Sequence, residues 1–120
     1  MDPSEQILRK VYRAFNARNI DQVLTAMHPE VDWPNGMDGG RVLGHSGVRE
    51  YWIRQWKVVN PNVQPIGFSS DAAGRTVVDV HQVVRDTDGK LLLDRMVKHC
   101  YVIENGLIRS MEIDESGNAE

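Results

Sequence analysis

The chain has 120 residues, of which 41% are hydrophobic and 26% are charged, and its formal net charge is -3. A chain of this length forms one domain and buries roughly two thirds of the surface that it exposes when unfolded. Basic and acidic residues alternate along the sequence, which argues against nucleic acid or an anionic membrane as a partner. We therefore expect a single domain over 1–120, with a flexible tail from about 116, that binds a small molecule or another protein.

The chain has one cysteine, Cys100, which excludes an intrachain disulfide. No cluster of cysteine and histidine suggests zinc, so we expect no metal and no other cofactor. The opening "MDPSEQ" lacks the basic and apolar segments of a secretory signal, and no segment approaches the roughly 20 apolar residues of a membrane-spanning helix. These features together predict a cytoplasmic protein.

Two helices are predicted at the start of the chain. Asp2 can cap the first helix, with Pro3 at its first position, and this helix is expected to end near residues 18–19. Its apolar face contains Ile7, Leu8, Val11, Tyr12 and Phe15. A shorter helix is predicted from Asp21 to Met27, where Pro29 stops it.

A third helix and four strands follow. Ser46 is expected to cap the third helix, whose apolar residues recur at helical spacing at Val48, Trp52, Trp56 and Val59. The segment "NPNVQP" is expected to break it. Strands are predicted over 63–69, 76–86, 91–103 and 107–113, separated by turn signals. Helices followed by an antiparallel meander indicate the α+β class.

The register of the first predicted hairpin follows from its turn. A two-residue turn at Asp88-Gly89 pairs Val78 with His99 and, on the opposite face, Asp79 with Lys98. The face that carries His99 is then mostly apolar, with Val84 opposite Leu93, Gln82 opposite Arg95, and Val80 opposite Val97. The other face gains an attractive pair of charges.

For the second hairpin, "ENG" allows a two-residue turn or a three-residue loop. The three-residue loop places Met111 opposite His99 and Glu112 opposite Lys98, whereas the two-residue turn forces acidic side chains onto the apolar face. We therefore expect the longer loop. His99 then faces inward, on the same face as Val97, Tyr101, Met111 and Ile113.

At this stage the sequence resembles a known family. "HPEVDWP", "GHSGVREYW" and the closing "HCYVIENGLIRSMEI" are similar to the SnoaL-like and ketosteroid-isomerase-like members of the nuclear transport factor 2-like superfamily. The resemblance covers nearly the whole chain. It implies a cone-shaped, cystatin-like α+β fold, in which three N-terminal helices pack on a curved, mainly antiparallel sheet around a pocket. Many members are dimers joined through the outer face of the sheet.

The resemblance does not imply ketosteroid isomerisation. The position of that enzyme's catalytic base falls on Trp33, and the position of its late-strand aspartate falls on His99. The tyrosine of its first helix falls near Val11, one residue from Tyr12. A dehydratase-like set keeps His99 and Tyr101, together with Tyr12 or Asp32.

We therefore expect an internal pocket for a small, mainly apolar organic molecule. One hypothesis is a cofactor-free isomerase, lyase or cyclase-like enzyme, with His99 as general acid or base, Tyr101 as hydrogen-bond donor and Arg95 as an anion or carbonyl contact. The other is a non-catalytic ligand-binding or dimeric interaction domain, in which His99 is a satisfied core residue. Ligand-contacting residues are expected at Trp33, Tyr12, Phe15, Trp52, Trp56, Gln82, Val97 and Met111.

Two further expectations concern Arg95 and the outer face of the sheet. An inward arginine needs a carboxylate, a carbonyl or an anionic ligand, because an unpaired buried charge is very costly, and Gln82 supplies only part of the hydrogen bonding that Arg95 needs.

On the reverse face, apolar Val77, Val83, Met96 and Cys100 alternate with charged residues. That mixture predicts a homodimer through the outer sheet face.

Overall fold

The structure, a computed structural model, describes residues 3–115. The predicted cap at Asp2 and the predicted flexible tail from about 116 therefore lie outside the described residues. The described residues form three helices: α1 (Pro3–Asn16), α2 (Ile20–Thr25) and α3 (Gly44–Val58). Six strands form one sheet: β1 (Met27–Pro34), β2 (Arg41–Leu43), β3 (Val59–Ser70), β4 (Thr76–Asp86), β5 (Leu91–Glu104) and β6 (Leu107–Asp114).

The predicted α+β class is confirmed, but the predicted placement of three helices at the N-terminal end is wrong. Only α1 and α2 lie there, while α3 follows the first two strands. The strand order is β2-β1-β6-β5-β4-β3, and only the β1–β6 pair is parallel. The sheet is thus mainly antiparallel, and the first and last strands of the chain meet near one edge.

The helices cover one face of the sheet. Helix α3 contacts β1, β2 and β3, and α1 contacts α2 and β3. Between them lies the hydrophobic core, which includes Leu8, Val48, Trp52, Val78 and Ile108. Burying such side chains stabilises the domain by about 1.5–3 kcal/mol for each large one. The inward residues of β4 and β5 belong to this layer, so their side chains are held between sheet and helices.

Two local predictions in this region are wrong. Helix α3 begins at Gly44 with Leu43 at the N-cap and no capping side chain, so the exposed Ser46 is not its cap. The prediction that "NPNVQP" breaks the helix is confirmed, since α3 ends at Val58, but the strand predicted over 63–69 begins at Val59 and includes this segment. Its prolines are tolerated because β3 is the edge strand of the sheet and Pro lacks only a donor.

The β4–β5 register is confirmed, although the turn differs from the one predicted. Val78 pairs with His99, Asp79 with Lys98 and Gln82 with Arg95. The loop has three residues, because the Asp86 amide donates to the Lys90 carbonyl at 2.8 Å. A bulge between Val84 and Arg85 leaves Leu92 unpaired and restores the predicted pairing.

For the β5–β6 hairpin, the predicted three-residue loop is wrong. Glu104 pairs with Leu107, and the two residues between them, Asn105 and Gly106, have φ angles of 53° and 80°, as in a two-residue turn. His99 therefore pairs with Ile113 instead of Met111, and Lys98 pairs with Asp114 instead of Glu112. A bulge beyond the turn leaves Arg109 unpaired, so the acidic residues still avoid the apolar face.

Candidate active site

An interior cavity of about 290 Å³ lies between the helices and the inward face of the sheet. Helix α1 contributes Tyr12 and Phe15, α3 contributes Trp52, and β1 contributes Trp33. Trp52 contacts two of these rings edge to face, with its centroid 5.7 Å from that of Trp33 and 5.2 Å from that of Phe15. Such contacts fix the rings, so the cavity has a rigid aromatic wall.

At one end of the cavity, three polar side chains form a hydrogen-bonded chain. The Tyr12 Oη atom lies 2.7 Å from Nδ1 of His99 and 2.8 Å from Oη of Tyr101. Tyr12 comes from α1, and His99 and Tyr101, which follow it by 87 and 89 positions, come from β5. All three are buried, and all three line the cavity. The predicted inward orientation of His99 and Tyr101 is confirmed.

The surroundings keep these groups uncharged at neutral pH. Burial, and next the positive charge of Arg95, lowers the pKa of His99 from 6.5 to about 4. Burial, and next the neighbouring Tyr101, raises the pKa of Tyr12 well above its ordinary value. Burial also raises the pKa of Tyr101, while its hydrogen bond with Tyr12 opposes that shift. The polar end of the cavity therefore consists of a neutral imidazole and two neutral phenols.

Because His99 is neutral, one ring nitrogen carries a proton and the other does not. Nδ1 is engaged by Tyr12, so Nε2 is the nitrogen left for a molecule in the cavity. Among residues 3–115, the one hydrogen-bond partner of the His99 side chain is the Tyr12 hydroxyl at Nδ1. A ligand atom beside Nε2 would meet either a donor or an acceptor, depending on the tautomer.

Arg95 lies in the cavity wall and already has partners. Its Nε donates to Oε1 of Gln82 at 2.9 Å, and its Nη1 forms an ion pair with Glu115. The expectation that Arg95 needs a carboxylate, a carbonyl or an anionic ligand is therefore met within the chain, by the carboxylate of Glu115 and in part by Gln82. Among the described lining residues, Arg95 is the only one with a full charge at neutral pH.

Most of the predicted site residues line the cavity, and two do not. The lining set includes His99, Tyr101, Arg95, Trp33, Tyr12, Phe15, Trp52, Gln82 and Met111. Trp56 lies behind the wall, where its ring stacks on Trp52 at 5.9 Å, and Val97 is enclosed in the core. Asp32, offered as part of a dehydratase-like set, points away from the cavity and binds Arg41 at 2.6 Å.

Sequence reasoning missed a second polar group at the cavity. The Tyr51 hydroxyl accepts hydrogen bonds from the Gly36 amide at 2.9 Å and from Nε2 of Gln55 at 3.2 Å. Tyr51, Gln55 and Gly36 all line the cavity, together with the half-exposed Met37. The signal was present, because Val48, Tyr51, Trp52 and Gln55 share one helical face.

The family model of the SnoaL-like domain matches residues 8–111, which is most of the chain. This chain belongs to the SnoaL-like domain family. No protein with a curated description matches its sequence. The family assignment agrees with the helices, the strands and the interior cavity described above.

Solved structures show the same fold as this SnoaL-like domain. TerC, co-crystallised with polyporic acid, is 27% identical with a TM-score of 0.82, and the match covers 97% of this chain and 94% of TerC. A nuclear transport factor 2-like protein of unknown function from Burkholderia pseudomallei is 26% identical with a TM-score of 0.82, over 99% of this chain and 95% of that one. An uncharacterised cystatin-fold protein from Novosphingobium aromaticivorans is 18% identical, with a TM-score of 0.74, over 94% and 97% of the two chains.

Residues 3–115 contain neither a membrane-spanning helix nor a cluster of metal-binding side chains. Within residues 3–115, no helix is long and apolar enough to cross a membrane. In the same part of the chain, no group of three or more His, Cys, Asp or Glu side chains is arranged to hold a metal ion.

Proposed function

We propose that this SnoaL-like domain binds a small, mainly apolar organic molecule in the interior cavity and acts on it by proton transfer, without a cofactor. The reaction class is an isomerisation, a lyase reaction or a cyclisation. The observation that carries the proposal is the chain of Tyr101, Tyr12 and His99 at one end of an aromatic cavity. Burying polar groups is costly unless they are hydrogen-bonded, and these three groups are bonded to one another while their residues still line the cavity.

The size of the cavity limits the ligand. An engineered cavity of about 150 Å³ holds one benzene molecule. The cavity here is about 290 Å³, about twice that volume, so it has room for a ligand of more than one ring. Flat aromatic or partly aromatic molecules suit walls made of Trp33, Trp52 and Phe15, because ring faces and edges attract one another.

The charge of Arg95 selects one kind of polar substituent. A ligand oxygen that is anionic or carbonyl-like can bind the guanidinium, alongside or in place of Glu115. TerC, at 27% identity, was co-crystallised with polyporic acid, which is consistent with an acidic organic ligand for this chain as well. In this proposal Arg95 orients the ligand, Trp33 is a wall, and His99 and Tyr101 exchange protons with it.

The alternative is a non-catalytic ligand-binding domain, and one observation favours it. A histidine with a pKa of about 4 is a weak base at neutral pH. If His99 only contacts a ligand, binding should occur without any chemical change.

A probe ligand separates the two functions. We would add 2-tetralone, a two-ring ketone with acidic C–H bonds, to the protein in D2O and follow both binding and deuterium uptake by NMR. The enzyme hypothesis predicts uptake well above the buffer rate, with at least a tenfold loss in His99→Gln and little change in affinity. The control is His81→Gln, on the outer sheet face. Binding without uptake in the wild-type protein would support the non-catalytic alternative.

The ligand class has a separate test. We expect polyporic acid to bind and to quench the fluorescence of the wall tryptophans. Arg95→Gln should weaken binding about tenfold, as expected for one lost charged hydrogen bond. Arg85→Gln, which changes an exposed residue of β4, should have no effect. Equal affinity in wild type and Arg95→Gln would remove Arg95 from the proposed site.

We propose that two copies associate through the outer face of the sheet, because apolar side chains there alternate with the Lys98–Asp79 ion pair and the His81–Asp94 hydrogen bond. The buried free Cys100 is compatible with the reducing cytoplasm proposed from the sequence.

A further inference from the structure

The protons of the Tyr101–Tyr12–His99 chain can be arranged in two ways. In the first arrangement Tyr101 donates to Tyr12, Tyr12 donates to Nδ1 of His99, and Nε2 carries the imidazole proton. In the second arrangement Nδ1 donates to Tyr12, Tyr12 donates to Tyr101, and the Tyr101 proton faces outward from the chain. Both arrangements contain three protons, leave every group neutral, and keep the 2.7 Å and 2.8 Å contacts; they interconvert when one end of the chain gives up a proton and the other end takes one.

The two arrangements present opposite chemistry to the cavity. The first offers an N–H donor at Nε2 and an acceptor oxygen at Tyr101. The second offers a basic lone pair at Nε2 and an O–H donor at Tyr101. Both end residues line the cavity, while the middle residue, Tyr12, connects them.

We propose that Tyr101, Tyr12 and His99 form a reversible proton relay, so that a proton taken from a cavity-bound molecule at Nε2 is returned to it, as a different proton, from Tyr101. This inference rests on the proposed function and specifies how the site would carry it out. The ligand C–H or O–H bond breaks and its proton binds Nε2. The Nδ1 proton moves to Tyr12, the Tyr12 proton moves to Tyr101, and the Tyr101 proton bonds to a second ligand atom. One proton enters and one leaves, and no electrons are gained or lost by the protein.

The relay explains how His99 can act as a base although its surroundings disfavour a positive charge on the imidazole ring. A separate imidazolium would lie buried near the positive charge of Arg95, and the pKa of His99 is lowered to about 4 for that reason. In the relay, Nδ1 releases its proton while Nε2 gains one, so the ring stays neutral. The reaction type that fits is a proton shift within one molecule, such as a keto–enol isomerisation or the first step of a dehydration.

The test measures the His99 tautomer by ¹⁵N NMR on the full chain labelled at histidine. In Tyr101→Phe the second arrangement leaves the buried Tyr12 proton without an acceptor, so the first arrangement becomes favoured. We expect the ratio of Nε2–H to Nδ1–H tautomers to rise about tenfold relative to wild type. Tyr51→Phe removes a hydroxyl at the same cavity but outside the relay, and should leave the ratio unchanged. An equal ratio in wild type and Tyr101→Phe would overturn the relay.

The variant Tyr12→Phe provides a second, independent test of the relay. It interrupts the relay, so deuterium uptake by 2-tetralone should fall at least tenfold, to the level of His99→Gln, while affinity changes less than threefold. Uptake at the wild-type rate in Tyr12→Phe would overturn the relay and leave the proposed proton-transfer function standing. If wild-type protein neither binds nor exchanges 2-tetralone, that ligand class fails, and the tautomer ratio alone decides the relay.

Discussion

Burial, the charge of a neighbour and a hydrogen bond all act on the protonation of the His99 side chain. Its side chain is 7% exposed, and Tyr12 binds Nδ1. The folded protein therefore holds a neutral imidazole where an unfolded chain would titrate near its ordinary value. This difference links the stability of the fold to pH.

We expect His99 to destabilise the fold as the pH is lowered from about 6.5 towards 4. Its pKa is about 4 in the folded chain and 6.5 in the unfolded chain, so in this range the unfolded state binds more protons. The contribution is present above pH 6.5 and should be reduced by about 2 kcal/mol at pH 5. Urea unfolding at pH 7 and pH 5 measures it.

His99→Gln is the control for this titration, because carboxylates also contribute to acid sensitivity. The variant should lose about 2 kcal/mol less than wild type between the two pH values. Equal losses in both proteins would contradict a neutral His99 in the fold.

The sequence predicted the orientation of His99 but not its partner. Strand alternation and one pair of opposite charges, Asp79 and Lys98, were enough to place the histidine on the inward face. The contact with Tyr12 depends on how α1 packs over the sheet, and a single sequence contains no signal for a contact 87 positions away. The same reason applies to Glu115, whose pairing with Arg95 requires the chain to return past β5.

At the scale of elements, the two hairpins show that a wrongly predicted loop length can still give the correct prediction of which side chains face inward. In the first hairpin the loop is one residue longer than predicted, and in the second it is one residue shorter. In each case a bulge takes up one residue, and the inward side chains stay inward. Turn signals such as "DG" and "NG" predict where a hairpin reverses, but they do not predict bulges that are decided by packing.

Arg41 is expected to hold β1 against β6. Its Nη2 donates to the Met111 carbonyl at 2.7 Å and to the Asp32 carbonyl at 3.0 Å, and its Nε binds the Asp32 carboxylate at 2.6 Å. Arg41→Ala should lower the free energy of unfolding by about 1.5–3 kcal/mol, because charged donors to backbone carbonyls are lost. Urea denaturation measures this change.

Arg49→Ala is the matched control for Arg41. Arg49 also forms an ion pair, with Asp21 at 2.5 Å, but both side chains are largely exposed. Such a pair contributes about 0–1 kcal/mol. If the two variants are equally stable, the hydrogen bonds of Arg41 to β1 and β6 do not stabilise the fold measurably.

At the scale of the whole molecule, the helices cover one face of the sheet and leave the other face for a partner. The uncovered face carries Met96, which is 41% exposed, beside the Lys98–Asp79 ion pair and the His81–Asp94 hydrogen bond. We predict a homodimer through this face, and sedimentation velocity at micromolar concentration should find it. Met96→Asp should convert it to monomers, since an unpaired charge buried at an interface is costly.

Ile53→Asp is the control for the dimer. Ile53 is also 41% exposed but lies on α3, away from the sheet face. The same substitution there should leave the sedimentation coefficient unchanged. A wild-type monomer, or a dimer that survives Met96→Asp, would show that the outer face is not the interface.

The bulges have a consequence for how such a domain can change its length. A strand without a bulge that gains or loses one residue reverses the side chains beyond that point, and His99 would then point to solvent. Here the unpaired positions at Leu92 and Arg109 lie between each turn and the residues of the cavity. A residue inserted or deleted near a turn can be offset by losing or creating a bulge. Loop length near the turns is therefore free to vary while the chemistry of the inward face is inherited unchanged.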